Sequence, residues 1–308
     1  MSIAKDSRAS LEFSLDSNYN QNNMNVLVIG GTKFFGIPMV NALLKKGHKV
    51  TVATRGKTKF SFDGTVEQVI FDKNDPKSVA RALGKNEFDV TIDKIAYSSN
   101  DVRSLLQNAP CKKYIQMSSC AVYKIIHTDT KEEEFDAKSH PLKWTDRLED
   151  YAETKRLAER AALEFLPASD CAFVRYPVVL GPNDYTNRLR FYLEHIKDQK
   201  PMFIDDMKMD SPFIHETEAG EFIAHLAENF TAGPVNGCSN GTVKISKIVN
   251  YMEEKLGKKA VLEKSGEPAP YNGLPADRSI NTQKAQATGW KFYDLESWLY
   301  KLIDWETR

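Results

Sequence analysis

The chain has 308 residues, 41% of them hydrophobic, and its 42 basic and 42 acidic residues give a formal net charge of zero. A chain of this length can bury a large core, in one large domain or slightly more. Zero net charge provides no general attraction to nucleic acid or to an anionic membrane surface. No run approaches the roughly 18 apolar residues that a membrane-spanning helix requires. We therefore expect neither a nucleic-acid partner nor a membrane location.

The cysteines and the first residues indicate the compartment. Four cysteines are scattered along the chain without metal-ligand spacing, at Cys111, Cys120, Cys171 and Cys238. Sparse, unpaired cysteines fit a reducing cytoplasm, and we expect no metal site. Residues 1 to 23 are rich in Ser, Asn, Asp and Gln and contain no apolar segment of the signal-peptide type. We expect this segment to be a disordered tail.

A strand, a glycine turn and a helix open the folded part of the chain. Residues 26 to 29 form an apolar run that predicts a buried parallel strand and breaks at Gly30-Gly31. Residues 35 to 44 have helical apolar spacing, and residues 49 to 53 predict a second strand. This order is typical of a dinucleotide-binding βαβ unit, in which glycines let a phosphate approach backbone N–H groups. The alternative is a plain tight turn of any α/β protein.

Within this turn, five residues are predicted to contact a dinucleotide: Gly30, Thr32, Phe34, Phe35 and Gly36. A spacing with a glycine at every third position would place one at residue 33, where this chain has Lys33. The turn is therefore an imperfect match to the glycine fingerprint.

The end of the second strand indicates which dinucleotide binds. An acidic residue there would accept hydrogen bonds from the ribose of NAD, but residues 24 to 62 contain none. Arg55 and Lys57 lie where a 2′-phosphate would be paired, so we predict NADP, with NAD possible; the alternative is that both are solvated loop cations. Asp72, after the third strand, is predicted to hold the adenine amino group or to cap the following helix.

Further strands are predicted over residues 66 to 71, 88 to 92 and 113 to 117, with helices between them. This alternation predicts an α/β fold with a doubly wound parallel sheet. Ligands of such sheets bind beyond the carboxyl ends of the strands. Ala96, a small residue after the fourth strand, is predicted to lie beside the cofactor.

A tyrosine and a lysine follow downstream. Tyr151 and Lys155 lie four residues apart, hence one turn apart on the same face of a helix predicted over residues 151 to 166. An ammonium near a phenol should lower its pKa, so that the tyrosine exchanges a proton with a substrate alcohol. Tyr-x-x-x-Lys alone is common by chance, but Ser118-Ser119 ends the fifth strand about 30 residues upstream.

Together these motifs resemble the short-chain dehydrogenase/reductases, in the extended branch of NAD-dependent epimerases and dehydratases. The resemblance is carried by residues 30 to 36, 118 to 123, 151 to 155, 175 to 182, 213 to 219 and 279 to 290. The Gly-Gly-x-x-x-x-Gly variant is similar to an atypical subgroup that also contains chloroplast stem-loop RNA-binding proteins.

The resemblance implies roles for individual residues. Ser119 would be the catalytic hydroxyl, Tyr151 the acid and base, and Lys155 the partner of the nicotinamide ribose. Tyr176 and Val178 would line the nicotinamide. Residues 24 to 182 would form an NAD(P)-binding Rossmann domain, to which some later segments return. Residues 183 to 308 would mainly form a smaller substrate-binding lobe.

The implied activity is that of an NAD(P)-dependent epimerase or oxidoreductase acting on a nucleotide sugar or a similar secondary alcohol or ketone. The family's 4,6-dehydratases carry an acidic pair after the strand hydroxyl, where this chain has Cys120 and Ala121, so dehydration is disfavoured. Epimerisation and simple reduction both remain open. The alternative is a non-catalytic NAD(P)-binding scaffold or an RNA-binding protein, which zero net charge disfavours. A homodimer is a family expectation.

Overall fold

The structure, a computed structural model, describes residues 23 to 308. The tail predicted over residues 1 to 23 lies outside the described residues, apart from its last residue. Strands and helices alternate through the first part: β1 (Asn25–Ile29), α1 (Gly36–Lys45), β2 (Lys49–Thr54), β3 (Glu67–Ile70), α2 (Pro76–Leu83), β4 (Phe88–Asp93), α3 (Ser99–Leu106), β5 (Cys111–Met117), α4 (Tyr151–Ala162) and β6 (Cys171–Arg175). The remaining elements are β7 (Val178–Leu180), α5 (Arg188–Asp198), β8 (Met202–Phe203), β9 (Asp210–Ser211), β10 (Phe213–His215), α6 (Glu216–Glu228), β11 (Gly233–Asn236), β12 (Val243–Lys244), α7 (Ile245–Leu256), β13 (Glu267–Pro268), α8 (Gln283–Gln286) and α9 (Leu295–Glu306).

The main sheet has seven strands in the order β11-β6-β5-β4-β1-β2-β3, and every neighbouring pair is parallel. The chain winds outward from β1 in one direction and from β4 in the other. The predicted doubly wound α/β fold is confirmed. The winding reverses between β1 and β4, where Ile29 lies opposite Asp93. A crevice at the carboxyl ends of the strands is expected at such a reversal.

Apolar side chains on both faces of this sheet form the core. The strand residues from Val26 to Ile29 are at most 1% exposed, because helices cover both faces. Helix α1 buries Met39, Val40 and Leu43 against one face, as the helical spacing predicted. Helix α6 crosses α1 so closely that a Cβ on Gly220 would lie 2.5 Å from the Phe35 carbonyl oxygen. Glycine at this crossing therefore fixes α6 against the start of α1.

A smaller C-terminal part has its own apolar core, formed mainly by α5, α7 and α9. Three two-stranded sheets accompany these helices: β7 with β10, β9 with β12, and β8 with β13. The expectation of a smaller C-terminal lobe beside the Rossmann sheet is thus confirmed. Strand β11 and helix α6 also come from beyond residue 182, but they pack on the main sheet.

Local signals set several boundaries that apolar spacing alone placed less well. Helix α3 begins at Ser99 rather than near residue 102, because the Ser98 hydroxyl caps it by accepting from the Asp101 N–H at 3.0 Å. Helix α4 ends at Ala162, four residues before the predicted end. Among residues 23 to 308, no helix combines the length and apolar composition that crossing a membrane requires.

Candidate active site

Two adjoining cavities lie at the carboxyl ends of the central strands. The first has a volume of about 490 Å³ and includes the glycine loop after β1 and the ends of β2 and β3. The second has a volume of about 670 Å³ and includes the end of β5, the start of α4 and the chain around β7. Three side chains line both cavities: Lys94, Tyr97 and Tyr185. The two cavities therefore form one cleft that passes these three residues.

The glycine loop has the geometry of an anion-binding turn. Gly30 and Gly31 have φ angles of +92° and +87°, a region that favours glycine. Within the described part of the chain, the backbone N–H groups of residues 31 to 35 donate to no oxygen atom. Successive unpaired N–H groups before a helix form a concave surface that attracts negative charge. The loop can therefore hold a phosphate group without any side chain.

The loop explains why Lys33 is tolerated and corrects the role of Gly36. The left-handed residue after the glycine pair is Phe34, with φ of +54°, whereas Lys33 has no positive φ. A glycine is therefore not required at position 33. A Cβ on Gly36 would lie 2.6 Å from the Gly31 Cα, so Gly36 is needed where the helix start meets the turn. Gly36 lines neither cavity, and the prediction that it contacts a ligand is not supported by the geometry.

The charged lining of the first cavity is mainly basic. Thr32, Arg55, Lys57 and Asp72 line it, as the sequence indicated. The basic side chains that line it are Lys33, Arg55, Lys57, Lys73 and Lys94, and Asp72 supplies the one carboxylate among its described lining residues. This charge balance suits a ligand with more than one phosphate group.

The chain after β4 differs from the prediction. Ala96 is fully buried and lines neither cavity, while Lys94 and Tyr97 line both. The Ala96 carbonyl oxygen instead accepts a hydrogen bond from Lys155 Nζ at 2.9 Å. Ala96 was chosen for its small size, but its side chain packs into the core below the cleft. The prediction that it lies beside the cofactor is therefore wrong for its side chain.

The two serines after β5 have different environments. Ser118 is buried, and its hydroxyl donates to the Glu159 carboxylate, away from the cleft. Ser119 lines the second cavity, and its Oγ accepts from the Ala121 N–H at 3.1 Å at the start of a short 3-10 turn. Tyr151 lines the same cavity, and the Ser119 hydroxyl acts to lower the pKa of Tyr151.

Tyr151 begins α4 and lines the second cavity beside Ser119. The side chain is partly exposed to the cleft, but loss of water around its hydroxyl raises its pKa above the ordinary value. The Ser119 hydroxyl and the cations Arg188 and Arg147 act in the opposite direction. The expectation of a lowered Tyr151 pKa is not met, because burial is the largest influence on the phenol and the Lys155 ammonium donates instead to main-chain carbonyl oxygens.

Lys155 is 1% exposed, and its ammonium is committed to the protein main chain. It donates to the carbonyl oxygens of Ala96 and Met117, at 2.9 and 2.8 Å. Burial lowers its pKa to about 8. Its ammonium also lies 4.9 Å from the centre of the Tyr97 ring. Lys155 therefore joins α4 to the ends of β4 and β5 at the floor of the second cavity.

The two residues predicted to line the nicotinamide lie in the second cavity, together with two phenylalanines of the glycine loop. Phe34, Phe35, Tyr176 and Val178 all line it. The Tyr176 hydroxyl faces away, donating to the Ala219 carbonyl oxygen at 2.6 Å, and its ring meets the Phe35 ring edge to face. These residues give the cavity an apolar wall.

Residues 26 to 109 and 98 to 240 match the model of the NAD dependent epimerase/dehydratase family. The chain belongs to this family. Together the matched segments extend from β1 to the residues after β11, so they include the glycine loop, Ser119, Tyr151 and Lys155. No curated protein sequence matches the chain significantly.

Several solved structures have the same fold as this chain. A complex of MoeE5 with UDP-glucose and NAD has a TM-score of 0.69 at 18% identity, covering 92% of this chain and 99% of that one. The UDP-glucose 4-epimerase of Thermotoga maritima with UDP-glucose has a TM-score of 0.71 at 18% identity, covering 92% and 98%. The dTDP-glucose 4,6-dehydratase of Bacillus anthracis with NAD has a TM-score of 0.70 at 17% identity, covering 92% and 96%. At these identities the likeness shows the fold alone.

The cleft of this family member fits a dinucleotide. The free N–H groups of residues 31 to 35 suit a diphosphate, and the polar end near Arg55 suits an adenosine ribose. The apolar wall that includes Val178 suits a flat ring. The fit thus depends on a glycine cradle and on a continuous cleft, both of which are present in this chain.

Several cleft residues of this family member were not singled out by the sequence patterns. They are Lys94, Tyr97, Arg147 and Tyr185, all of which line at least one cavity. Lys94 carried a usable signal, because it is a cation directly after a buried strand, at the edge of the sheet where ligands bind. Tyr185 carried none, since its position depends on the turn after β7. Arg188 also lines the second cavity, whereas Arg190 pairs with Glu306.

Proposed function

We propose that this chain is an NAD(P)-dependent epimerase or oxidoreductase acting on a secondary alcohol or ketone of a nucleotide sugar. The observation that carries the proposal is the convergence of Ser119 and Tyr151 on a cavity that is continuous with the glycine loop. Residues 24 to 182 would form the cofactor-binding part, together with α6 and β11. Residues 183 to 308 would otherwise bind the substrate.

In this proposal the nicotinamide, when bound, supplies the hydride acceptor and donor. The Tyr151 hydroxyl exchanges a proton with the substrate oxygen, and the Ser119 hydroxyl orients that oxygen. The raised pKa of Tyr151 favours the protonated phenol, which is the form that donates a proton to a ketone. Arg147 and Arg188 ease the reverse step, because both cations lower the pKa of the phenol.

The preferred cofactor in this proposal is NADP. Arg55 and Lys57 are exposed at the end of the first cavity and supply two cations for a 2′-phosphate. Asp72, in the same cavity, is the group that would bind the adenine amino group. NAD is the alternative, and the solved structures of MoeE5 and of the Bacillus anthracis dehydratase contain it.

A nucleotide sugar is proposed for reasons of size and charge. The second cavity exceeds the first in volume, and Arg147, Arg188 and Arg278 line it. Guanidinium groups bind diphosphates well. Among the structures of the same fold, MoeE5 and the Thermotoga maritima epimerase are complexes with UDP-glucose. Epimerisation or reduction is preferred to dehydration, because Cys120 and Ala121 offer no acidic pair beside Ser119.

The deciding experiment titrates the purified protein with NADPH and NADH by nicotinamide fluorescence and thermal shift. Binding to the native state should raise the melting temperature by mass action. A panel of UDP- and dTDP-sugars is then added, and products are analysed for epimerisation and for changes in nicotinamide absorbance. Cofactor binding with no turnover on any sugar would favour the non-catalytic scaffold. Failure to bind either dinucleotide would overturn the proposed function.

A further inference from the structure

Three lysine ammonium groups gather around the carboxyl end of β4. Lys73 Nζ donates to the Ile95 carbonyl oxygen and to Asp101, the latter at 2.7 Å. Lys155 Nζ donates to the carbonyl oxygens after β4 and β5. Both groups therefore support the main chain. The ammonium of the third lysine, Lys94, donates to no main-chain carbonyl oxygen among the described residues.

Lys94 is 8% exposed, and its ammonium makes no hydrogen bond or ion pair with any residue from 23 to 308. The ammonium lies over the face of the Phe35 ring, whose centre is 4.1 Å from Nζ. Cation–ring attraction offsets only part of the cost of removing an ammonium from water. A buried cation without an anionic partner costs stability, so its presence in a cleft suggests that a ligand supplies the anion.

The position of Lys94 identifies the part of the ligand that it would meet. Its Cβ lies 3.7 Å from the point that a Cβ on Gly30 would occupy, so the side chain begins directly beside the glycine loop. Its ammonium ends over Phe35, whose N–H is one of the unpaired groups of that loop. The ammonium and the free N–H groups therefore border the same region. Lys94 also lines both cavities, at the point where they meet.

We propose that Lys94 binds the diphosphate of the dinucleotide, at the place where the ligand passes from the first cavity into the second. The inference rests on the proposed function, which supplies the dinucleotide. The glycine loop would hold the diphosphate from one side through N–H groups, and Lys94 would hold it from the other through its ammonium. Lys94 is thus a cofactor-binding residue that the glycine motif does not include.

Ligand binding should then be coupled to proton uptake. Burial lowers the pKa of Lys94 to about 8. An adjacent diphosphate would raise that pKa, so above about pH 8 the protein should take up a proton as it binds. Affinity should be constant below the pKa of the free protein and should fall as pH rises toward the pKa of the complex. The other titratable groups around this point of the cleft are Lys33, Lys73, Tyr97, Tyr151, Lys155 and Tyr185, with Asp93 buried at the end of β4.

The test compares the wild type with Lys94→Met, which preserves the approximate length of the side chain. NADH, NADPH, ADP-ribose and AMP are titrated by calorimetry at pH 7 and pH 8.5, each in two buffers of different ionisation enthalpy. Lys94→Met should weaken NADH, NADPH and ADP-ribose about 10- to 100-fold, and AMP clearly less, because a charged hydrogen bond to the diphosphate is lost. The wild type should take up protons at pH 8.5, and the variant should not. Lys33→Met, which removes an exposed lysine of the same loop, is the matched control and should cause a smaller loss.

The outcomes separate this inference from the proposed function. A wild type that binds no dinucleotide overturns both. A wild type that binds, with Lys94→Met unchanged in affinity and in proton uptake, overturns the role of Lys94 alone. The role of Lys94 in binding the diphosphate is also overturned if the variant binds NADH normally but has a raised KM for a nucleotide sugar, because Lys94 would then contact the substrate. Thermal unfolding of Lys94→Met without ligand shows that the variant is folded, and proton uptake by the wild type provides a test that needs no variant.

Discussion

Lys155 Nζ donates a hydrogen bond to the Ala96 carbonyl oxygen across 2.9 Å, which ties helix α4 to the segment that follows β4. The same ammonium donates to Met117 at the end of β5. The lysine of the Tyr-x-x-x-Lys motif thus closes the floor of the cleft between two neighbouring strands. Its position is fixed by the protein, independently of any contact that it makes to a ribose.

The first prediction concerns the proton donor. Replacing Tyr151 by Phe removes the hydroxyl but keeps the ring, so turnover on an accepted nucleotide sugar should fall about 100- to 10,000-fold. The affinity for the preferred dinucleotide should stay within about two-fold of wild type, because the glycine loop is untouched. Steady-state rates and fluorescence titration measure the two effects. Tyr293→Phe, which removes an exposed hydroxyl outside both cavities, should leave turnover unchanged. Normal turnover of Tyr151→Phe would eliminate the proposed mechanism.

The second prediction concerns cofactor choice. Arg55→Ala should weaken NADPH about 10-fold or more and NADH about two-fold or less, because a guanidinium at this end of the cavity pairs with a 2′-phosphate. Titration of both cofactors against the same preparation provides an internal control. Raising the salt concentration should reduce the difference between wild type and variant for NADPH, since exposed charge pairs are screened. Equal losses for the two cofactors would contradict the assignment of NADP.

The third prediction concerns the glycine at the start of α1. A Cβ on Gly36 would lie 2.6 Å from the Gly31 Cα, and backbone cannot move away cheaply. Gly36→Ala should therefore lower the free energy of unfolding by about 2 kcal/mol or more. At Gly64 the nearest atom to such a Cβ is a leucine methyl at 3.5 Å, an ordinary contact. Gly64→Ala should change stability by less than about 1 kcal/mol, and urea denaturation compares the two. Similar stabilities of the two variants would contradict the close approach of Gly36 to Gly31.

The fourth prediction concerns pH and Lys94. The folded-state pKa of about 8 lies below the ordinary value of 10.5, so the unfolded chain binds more protons between these pH values. The destabilisation caused by the buried Lys94 ammonium is therefore complete below about pH 8, and it disappears as pH rises toward 10.5. Without ligand, Lys94→Met should be more stable than wild type by about 3–4 kcal/mol at pH 7, because the pKa falls from 10.5 to about 8 and 1 pKa unit corresponds to about 1.4 kcal/mol. The difference should shrink by pH 10, as measured by urea denaturation, and Lys33→Met should show neither effect.

The sequence predicted the residues around Ser119 and Tyr151 better than the residues at the point where the two cavities meet. Tyr151 and Lys155 could be placed because helical spacing fixes which side chains share a face. Ser119 could be placed because a parallel strand ends at the ligand-binding edge of its sheet. The predicted lowering of the Tyr151 pKa is not found. Helical spacing places Lys155 near Tyr151 along the helix, but it does not reveal the main-chain carbonyl oxygens to which Lys155 donates instead. Those oxygens belong to chain segments distant in sequence.

The chain after β4 shows the same limit. Of residues 94 to 97, only Ala96 was predicted to lie beside the ligand, and it was selected from its size rather than from the direction of its side chain. Beyond the end of a strand, that direction depends on local turns, and these turned Lys94 and Tyr97 to the cleft. The position of Tyr185 depends on a contact between residues still more distant in sequence. Two residues earlier, the Asn183 side-chain amide donates to the Glu216 carboxylate at 2.7 Å. Such a contact between the two parts of the protein leaves no local pattern in the sequence.

Strand β11 pairs with β6 and forms one margin of the main sheet, although it lies more than 50 residues beyond the Rossmann segment ending at residue 182. A fragment that stopped at residue 182 would keep the pairing of β6 with β5 but would leave the other edge of β6 unpaired, and it would uncover the part of α1 that α6 packs against. An unprotected strand margin pairs readily with other chains, so such a fragment should aggregate. The two halves of this protein cannot be separated by cutting the chain once, and exchanging the substrate-binding part with that of a relative would require at least two junctions.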